Sequence, residues 1–145
     1  MAVDVLTQIT IDRGRSEVAG YAANPDNAPA WYKQIEKVTW ETEPPLAVGS
    51  RVAFVAHFLG RRLAYTYEIG ELVPGERLVM RTADGPFPME TTYTWTDQGT
   101  GTLMTLRNRG GGAGFFKVAA PILAAAVRRA TRNDLRRLKR VLEQS

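Results

Sequence analysis

The chain has 145 residues, of which 44% are hydrophobic and 23% charged, and its formal net charge is +4. This length and balance are typical of one globular domain with its own core, and we expect a single domain over residues 1–145. The chain contains no cysteine, which excludes disulfides and thiolate chemistry, and its one histidine, His57, excludes a histidine-rich metal site. We therefore expect neither a metal nor a cofactor.

Targeting signals are not evident in the sequence. The start lacks a basic segment followed by an apolar one, and no apolar run approaches the ~18 residues that cross a bilayer. We expect a cytoplasmic protein without a transmembrane segment. A homodimer remains an open alternative.

The first third of the chain predicts one strand followed by two short helices. Residues Val3–Ile11 alternate apolar and polar side chains, which is typical of a half-buried strand. Ser16 is the predicted N-cap of a first short helix, which ends at the turn 24–27. A second short segment contains Trp31, and a second strand passes through residues 38–40.

The middle of the chain predicts antiparallel strands joined by hairpins. A turn at residues 59–62 pairs Phe58 with Leu63, Ala56 with Tyr65, and Phe54 with Tyr67. A turn at residues 97–100 pairs Tyr93 with Met104 and Thr91 with Leu106. In both hairpins the apolar sets fall on one face, as a sheet with one buried face requires. The pattern predicts a meandering antiparallel sheet.

The last third predicts a long amphipathic helix. Apolar residues recur three and four apart from Phe115 to Leu142. Pro121 favours a main helix that begins near that residue and runs to about Glu143, after a separate apolar turn. Such a helix must lie across the sheet to cover its apolar face. The predicted fold class is α+β: a curved antiparallel sheet of about seven strands wrapped around a long C-terminal helix, with two short helices after strand 1.

A curved sheet that grips one helix leaves room for a ligand cavity between them. Tyrosine hydroxyls, Thr91 and Asn108 are candidates to orient a ligand there, among mostly apolar walls. Three consecutive alanines, residues 124–126, favour open space. The alternative is a filled core in which the same rings pack on the helix. The predicted ligand-binding residues are Trp31, Phe54, Phe58, Tyr65, Tyr67, Met80, Met89, Thr91, Tyr93, Trp95, Ile122 and Ala126.

The carboxylates of the sheet indicate no acid/base pair on the inner face. Glu68 and Glu90 are predicted to point away from the helix, as is His57. Glu71 would reach the cavity rim only if a bulge shifts the strand phase. The sequence shows no convincing catalytic constellation, and the catalytic residues of a possible enzyme stay unknown.

Two further segments invite functional hypotheses. The glycine run 110–114 fails the phosphate-loop fingerprints, and we interpret it as a flexible hinge. Residues 110–113, with Phe115 and Phe116, would form part of a ligand portal. Seven basic residues lie between Arg128 and Arg140, against one acid. They form either a solvated helix face or a docking surface for an acidic partner. No nucleic-acid partner is expected, because no aromatic residue is interleaved with these arginines.

Five segments resemble one known superfamily. They are the Asn24–Pro25 turn followed by Trp31, the start of a strand at 49–51, the segment 71–78, the turn 99–102 and the ending 134–143. Together they resemble the START-related superfamily, also called SRPBCC, and its polyketide cyclase/dehydrase-like branch. The resemblance spans the chain and implies the helix-grip fold. Its members include lipid and hormone carriers, aromatic cyclases and hydrolysis-activator-like proteins.

Three functions follow as alternatives. The first is binding of an apolar small molecule, lipid-like or aromatic and polyketide-like, in the cavity. The second is a polyketide cyclase or dehydratase that uses Tyr65, Tyr67 and Tyr93 as acid/base groups. The third is an interaction module that uses the arginine-rich C-terminal helix.

Overall fold

The computed structural model describes residues 3–144. Within them, seven antiparallel strands form one sheet in the order β1-β7-β6-β5-β4-β3-β2. The strands are β1 (Val3–Ile11), β2 (Ile35–Trp40), β3 (Arg51–Phe58), β4 (Arg61–Val73), β5 (Arg77–Asp84), β6 (Met89–Gln98) and β7 (Gly101–Gly110). The helices are α1 (Arg15–Ala23), α2 (Ala28–Trp31), α3 (Ala113–Phe116) and α4 (Ala120–Glu143), with a 3₁₀ turn at Pro25–Asn27. The α+β helix-grip prediction is confirmed.

The long helix α4 packs along β1 and against α2. Its first turn contains Pro121, as predicted, where a missing backbone N–H costs nothing. Its buried stripe runs through Leu123, Leu135 and Leu138. Among residues 3–144, no helix is both long and apolar enough to cross a membrane.

The predicted cap of α1 is wrong. Gly14 occupies the N-cap position, and no side chain of the described residues caps the helix there. The Arg15 guanidinium donates to the Gly75 carbonyl at 3.1 Å and pairs with Asp97 at 3.3 Å. These contacts anchor the first turn at Arg15, one residue before Ser16.

Both predicted hairpin registers are wrong by two residues, although the predicted buried face is correct. The structure pairs Phe54 with Tyr65, Ala56 with Leu63, Tyr93 with Leu106, and Thr91 with Asn108. Each turn has two residues instead of four. Leu59 and Gly60 both have positive φ, at 49° and 75°, which suits a two-residue turn between twisted strands. An even shift keeps every side chain on its face.

The predicted inward position of Ile122 is also wrong, because its side chain is 60% exposed. The start of α4 packs on β1 through Leu123 and Val127. Ile122 and Ala126 lie four residues apart, so they share the neighbouring stripe, which turns away from the sheet.

Candidate functional site

A cavity of about 190 Å³ lies between the concave face of the sheet and α4. Aliphatic side chains from β3, β4 and β5 form much of its wall, including Val52, Leu63 and Leu78. Eight of the twelve predicted residues also line it: Phe54, Phe58, Tyr65, Tyr67, Met80, Met89, Thr91 and Tyr93. Their binding of a ligand stays a prediction.

The other four predicted residues lie outside the cavity wall. Trp31 and Trp95 are buried in the core, where each ring contacts Tyr93, at centroid distances of 5.8 and 5.9 Å. Both tryptophans therefore pack against Tyr93, which does line the cavity. Ile122 is exposed, and Ala126 borders a groove on the outer side of α4.

A directed chain of hydrogen bonds crosses the sheet side of the cavity. The Thr91 hydroxyl donates to Asn108 Oδ1 at 2.8 Å, and the Tyr67 hydroxyl lies 2.8 Å from Thr91 Oγ1. Because a hydroxyl has one proton, Tyr67 is the donor to Thr91. The Asn108 Nδ2 donors have no acceptor among residues 3–144, and Asn108 lines the cavity. This series of hydrogen bonds therefore leaves the Asn108 Nδ2 group without a protein acceptor at the cavity wall.

The cavity tyrosines are neutral hydrogen-bond donors. Burial raises the pKa of Tyr67 to about 12 and raises the pKa values of Tyr65 and Tyr93 above their ordinary range. No described residue bonds to the Tyr65 hydroxyl. The Tyr65 hydroxyl can therefore orient a ligand or act as an acid, whereas the Tyr67 proton is already donated to Thr91. All three hydroxyls are poor bases near neutral pH.

Sequence reasoning missed several lining residues, and two of them, Tyr32 and Asp134, carry polar groups into the site. Tyr32 lines the cavity and its hydroxyl bonds to the Tyr93 hydroxyl. Asp134 also lines it, with only 2% of the residue exposed, and its Oδ1 accepts from Lys33 N and from Arg137, both at 3.2 Å. Burial raises the pKa of Asp134 to about 6 despite these donors. The spacing of Asp134 from Thr131 and Leu138 would have indicated the buried stripe.

Aromatic rings gather where the glycine run meets the cavity. Gly110, Gly111, Phe87 and Phe116 line this end, and Phe116 contacts the Phe58 ring edge-on at 5.6 Å. Gly112 has φ 111°, and a Cβ there would come within 3.0 Å of the Phe87 ring, so a side chain would be strained and crowded. This arrangement fits the predicted portal, which stays a proposal.

The outer carboxylates are engaged in ion pairs. Glu68 bonds to Arg51, Glu90 to Arg81, and His57 to Glu36. The bulge near Glu71 exists, between Ile69 and Glu71. Glu71 nevertheless pairs with Arg77 at 3.2 Å and does not line the cavity. Within residues 3–144, no three histidine or acidic side chains come together to hold a metal.

A family model matches the chain, and solved structures of low identity share its fold. A family model described as polyketide cyclase / dehydrase and lipid transport matches residues 2–143. No curated protein sequence matches the chain.

Similar solved structures share the fold at low identity. The protein TTHA0849 from Thermus thermophilus is 19% identical, with a TM-score of 0.81 over 98% of this chain and 99% of its own. A START superfamily protein from Mycobacterium smegmatis is 12% identical, with a TM-score of 0.82 over 97% of each chain. The di-domain ARO/CYC protein BexL from the BE-7585A biosynthetic pathway is 19% identical, with a TM-score of 0.73 over 97% of this chain and 46% of its own.

Proposed function

The chain belongs to the polyketide cyclase / dehydrase and lipid transport family, and on this premise we propose that it binds an apolar small molecule, lipid-like or aromatic and polyketide-like, between the sheet and α4. The observation that carries the proposal is the cavity, with its mostly apolar wall and a few converging polar groups. That combination is typical of small-molecule sites.

The cavity volume limits the ligand. Cavities of about 150 Å³ accommodate benzene, whereas drug-sized ligands need about 300 Å³ or more. At about 190 Å³, the space fits one or two rings, or part of a longer molecule. Burial of about 150–250 Å² of ring surface contributes roughly 4–6 kcal/mol before the costs of association. Hydrogen bonds to Asn108 and the tyrosines would then set orientation.

Native mass spectrometry of protein purified gently from its own host tests the proposal. We expect an excess mass that disappears on denaturation. Ala56→Phe fills the cavity and should remove the bound mass, whereas Ala53→Phe, on the outward side of the same strand, should keep it. A clean apo mass, together with no binding of a fluorescent hydrophobic probe, would contradict the proposal.

A cyclase or dehydratase is the second candidate, and Asp134 is the observation that favours it. A carboxyl with a pKa of about 6 inside a cavity is suited to proton transfer near neutral pH. The neutral Tyr65 hydroxyl would donate a hydrogen bond to a substrate carbonyl, while the walls hold a flexible chain in a reactive conformation. With a poly-β-ketone substrate, Asp134→Asn should abolish turnover and retain binding. Equal turnover by both proteins would contradict this role.

A further inference from the structure

A second, open space of about 890 Å³ lies outside the cavity, and we call it the outer groove. One wall is the β3–β4 turn, with Phe58 and Leu59. The other is the outward face of α4, where Ala125 and Ala126 alternate with basic residues. The groove therefore combines an apolar floor with a charged rim.

The charge of the outer groove is strongly unbalanced. Five cations line it: Lys33, Arg129, Arg136, Arg137 and Arg140. Arg137 pairs with Asp134, the only carboxylate in the lining, and His57 at the far wall is bonded to Glu36. In the described part of the chain, no carboxylate pairs with the other four cations.

Four arginines of the sheet, in contrast, are paired with carboxylates. Arg51, Arg77, Arg81 and Arg107 each form an ion pair with a carboxylate on the outer face. The chain thus neutralises these four arginines of the sheet, whereas Arg129, Arg136 and Arg140 of α4 have no carboxylate partner among residues 3–144. The outer groove is consequently a region of positive potential that attracts anions.

The outer groove and the cavity are neighbours. Gln34, Phe58, Ala130 and Asp134 border both spaces, so one layer of side chains separates them. Phe58 is only half-buried and contacts Phe116 beside the glycine run. A ligand that passes Phe58 would have one end in each space.

An anionic group would be disfavoured inside the cavity itself. Asp134 lines the wall, and a second negative charge beside it would be repelled. The charge of Arg109, the other charged lining residue, is balanced by Asp4 at 3.9 Å and Glu90 at 3.6 Å, and its buried Nε forms no hydrogen bond with the described residues. Asp134 borders the outer groove as well, but Arg137 pairs with it and four further cations line the groove, so the favourable place for a negative charge is outside, among the unpaired arginines.

We propose that the ligand is an amphiphilic anion, with its apolar part in the cavity and its carboxylate, phosphate or sulfonate in the outer groove against Arg129, Arg136 and Arg140. This inference rests on the proposed function and adds the chemical class of the ligand. Guanidinium groups suit such anions because they form paired hydrogen bonds with their oxygens. Exposed ion pairs alone are weak, so the buried apolar part anchors the charged one.

Two fluorescent probes that differ by one anionic group test this inference. They are 1-anilinonaphthalene-8-sulfonate and the neutral N-phenyl-1-naphthylamine. At low salt, we expect the sulfonate to bind about tenfold more tightly, as expected for two or three exposed ion pairs. Added salt should reduce this preference, because it screens exposed charges.

Matched charge variants locate the anion site. Arg129→Gln, Arg136→Gln and Arg140→Gln together should remove the preference for the sulfonate and leave binding of the neutral probe unchanged. Arg51→Gln, Arg77→Gln and Arg81→Gln together change the net charge equally and should keep the preference. Equal affinity of wild type for both probes, or equal losses in the two triple variants, would overturn the inference. Failure of wild type to bind either probe would instead overturn the proposed function.

Discussion

Asp134 is a buried acid whose ionisation is opposed by folding. Burial raises the pKa of its carboxyl from an ordinary value near 3.8 to about 6. Between these values the folded state holds a proton that the unfolded state has released, so stability falls as pH rises from about 4 to 6. The total loss is about 3 kcal/mol, at 1.36 kcal/mol per pKa unit. The ionised Asp134 carboxylate therefore destabilises the folded state at neutral pH.

We predict that Asp134→Asn removes this pH dependence of stability. The free energy of unfolding, measured by urea denaturation from pH 4 to pH 8, should fall less steeply in the variant between pH 4 and 6. Asp84→Asn, at an exposed position, is the control and should keep the wild-type slope. Equal slopes in wild type and Asp134→Asn would contradict the argument.

The Tyr67 hydroxyl begins the hydrogen-bonded chain through Thr91 to Asn108. We predict that Tyr67→Phe lowers the free energy of unfolding by about 1 kcal/mol, the value of one buried hydrogen bond. The larger change should be in relative affinity for ligands with and without a carbonyl, measured by calorimetry. Tyr21→Phe, on α1 and outside the cavity, should alter neither. If the selectivity is unchanged, the hydrogen bonds from Tyr67 through Thr91 to Asn108 take no part in ligand recognition.

At the scale of elements, periodicity predicted which face of each strand is buried but not the pairing of residues. The alternation in β3 and β4 is compatible with any even shift of register, and the conformation of Leu59 and Gly60 decides between them. The helical pattern likewise predicted α4 but not its rotation, which depends on where Leu123 meets β1. Asp134 was missed because its charge suggested the solvated face.

The β3–β4 turn holds a leucine in a conformation that suits asparagine better. Leu59 has φ 49°, and asparagine before glycine is favoured in such turns. We predict that Leu59→Asn raises the free energy of unfolding by about 0.5–1 kcal/mol. Leu59→Ala also removes the exposed side chain, but alanine does not share the tolerance of asparagine for a positive φ. This variant should therefore not raise the free energy of unfolding. Equal stabilities of the two variants, in chemical denaturation, would contradict the explanation.

Hydrogen exchange in the glycine run tests the portal hypothesis. We predict that backbone amides of residues 112–116 exchange hydrogen faster than those of β7, because portal opening would expose them to water. Hydrogen exchange followed by mass spectrometry resolves the two segments. Ligand binding should slow exchange in the run and leave β7 unchanged. Equal protection of both segments in the free protein would exclude a portal here.

At the scale of the whole molecule, α4 joins the two halves of the core. Leu138 is fully buried, whereas Ile122 on the same helix is largely exposed. We predict that Leu138→Ala lowers the free energy of unfolding by about 3 kcal/mol, with one cooperative transition in circular dichroism and fluorescence. Ile122→Ala should change it by less than about 0.5 kcal/mol. A similar loss in both variants would contradict the observed rotation of α4.

The placement of Trp31 and Trp95 behind Tyr93 has a consequence for divergence within the family. The two largest rings that secure the fold contact the cavity residue from the far side and leave the wall itself to smaller groups. Substitutions in the cavity wall can therefore change which ligand binds without disrupting the core around Trp31 and Trp95. A lineage can exchange one ligand for another by successive single mutations, each passing through a folded protein.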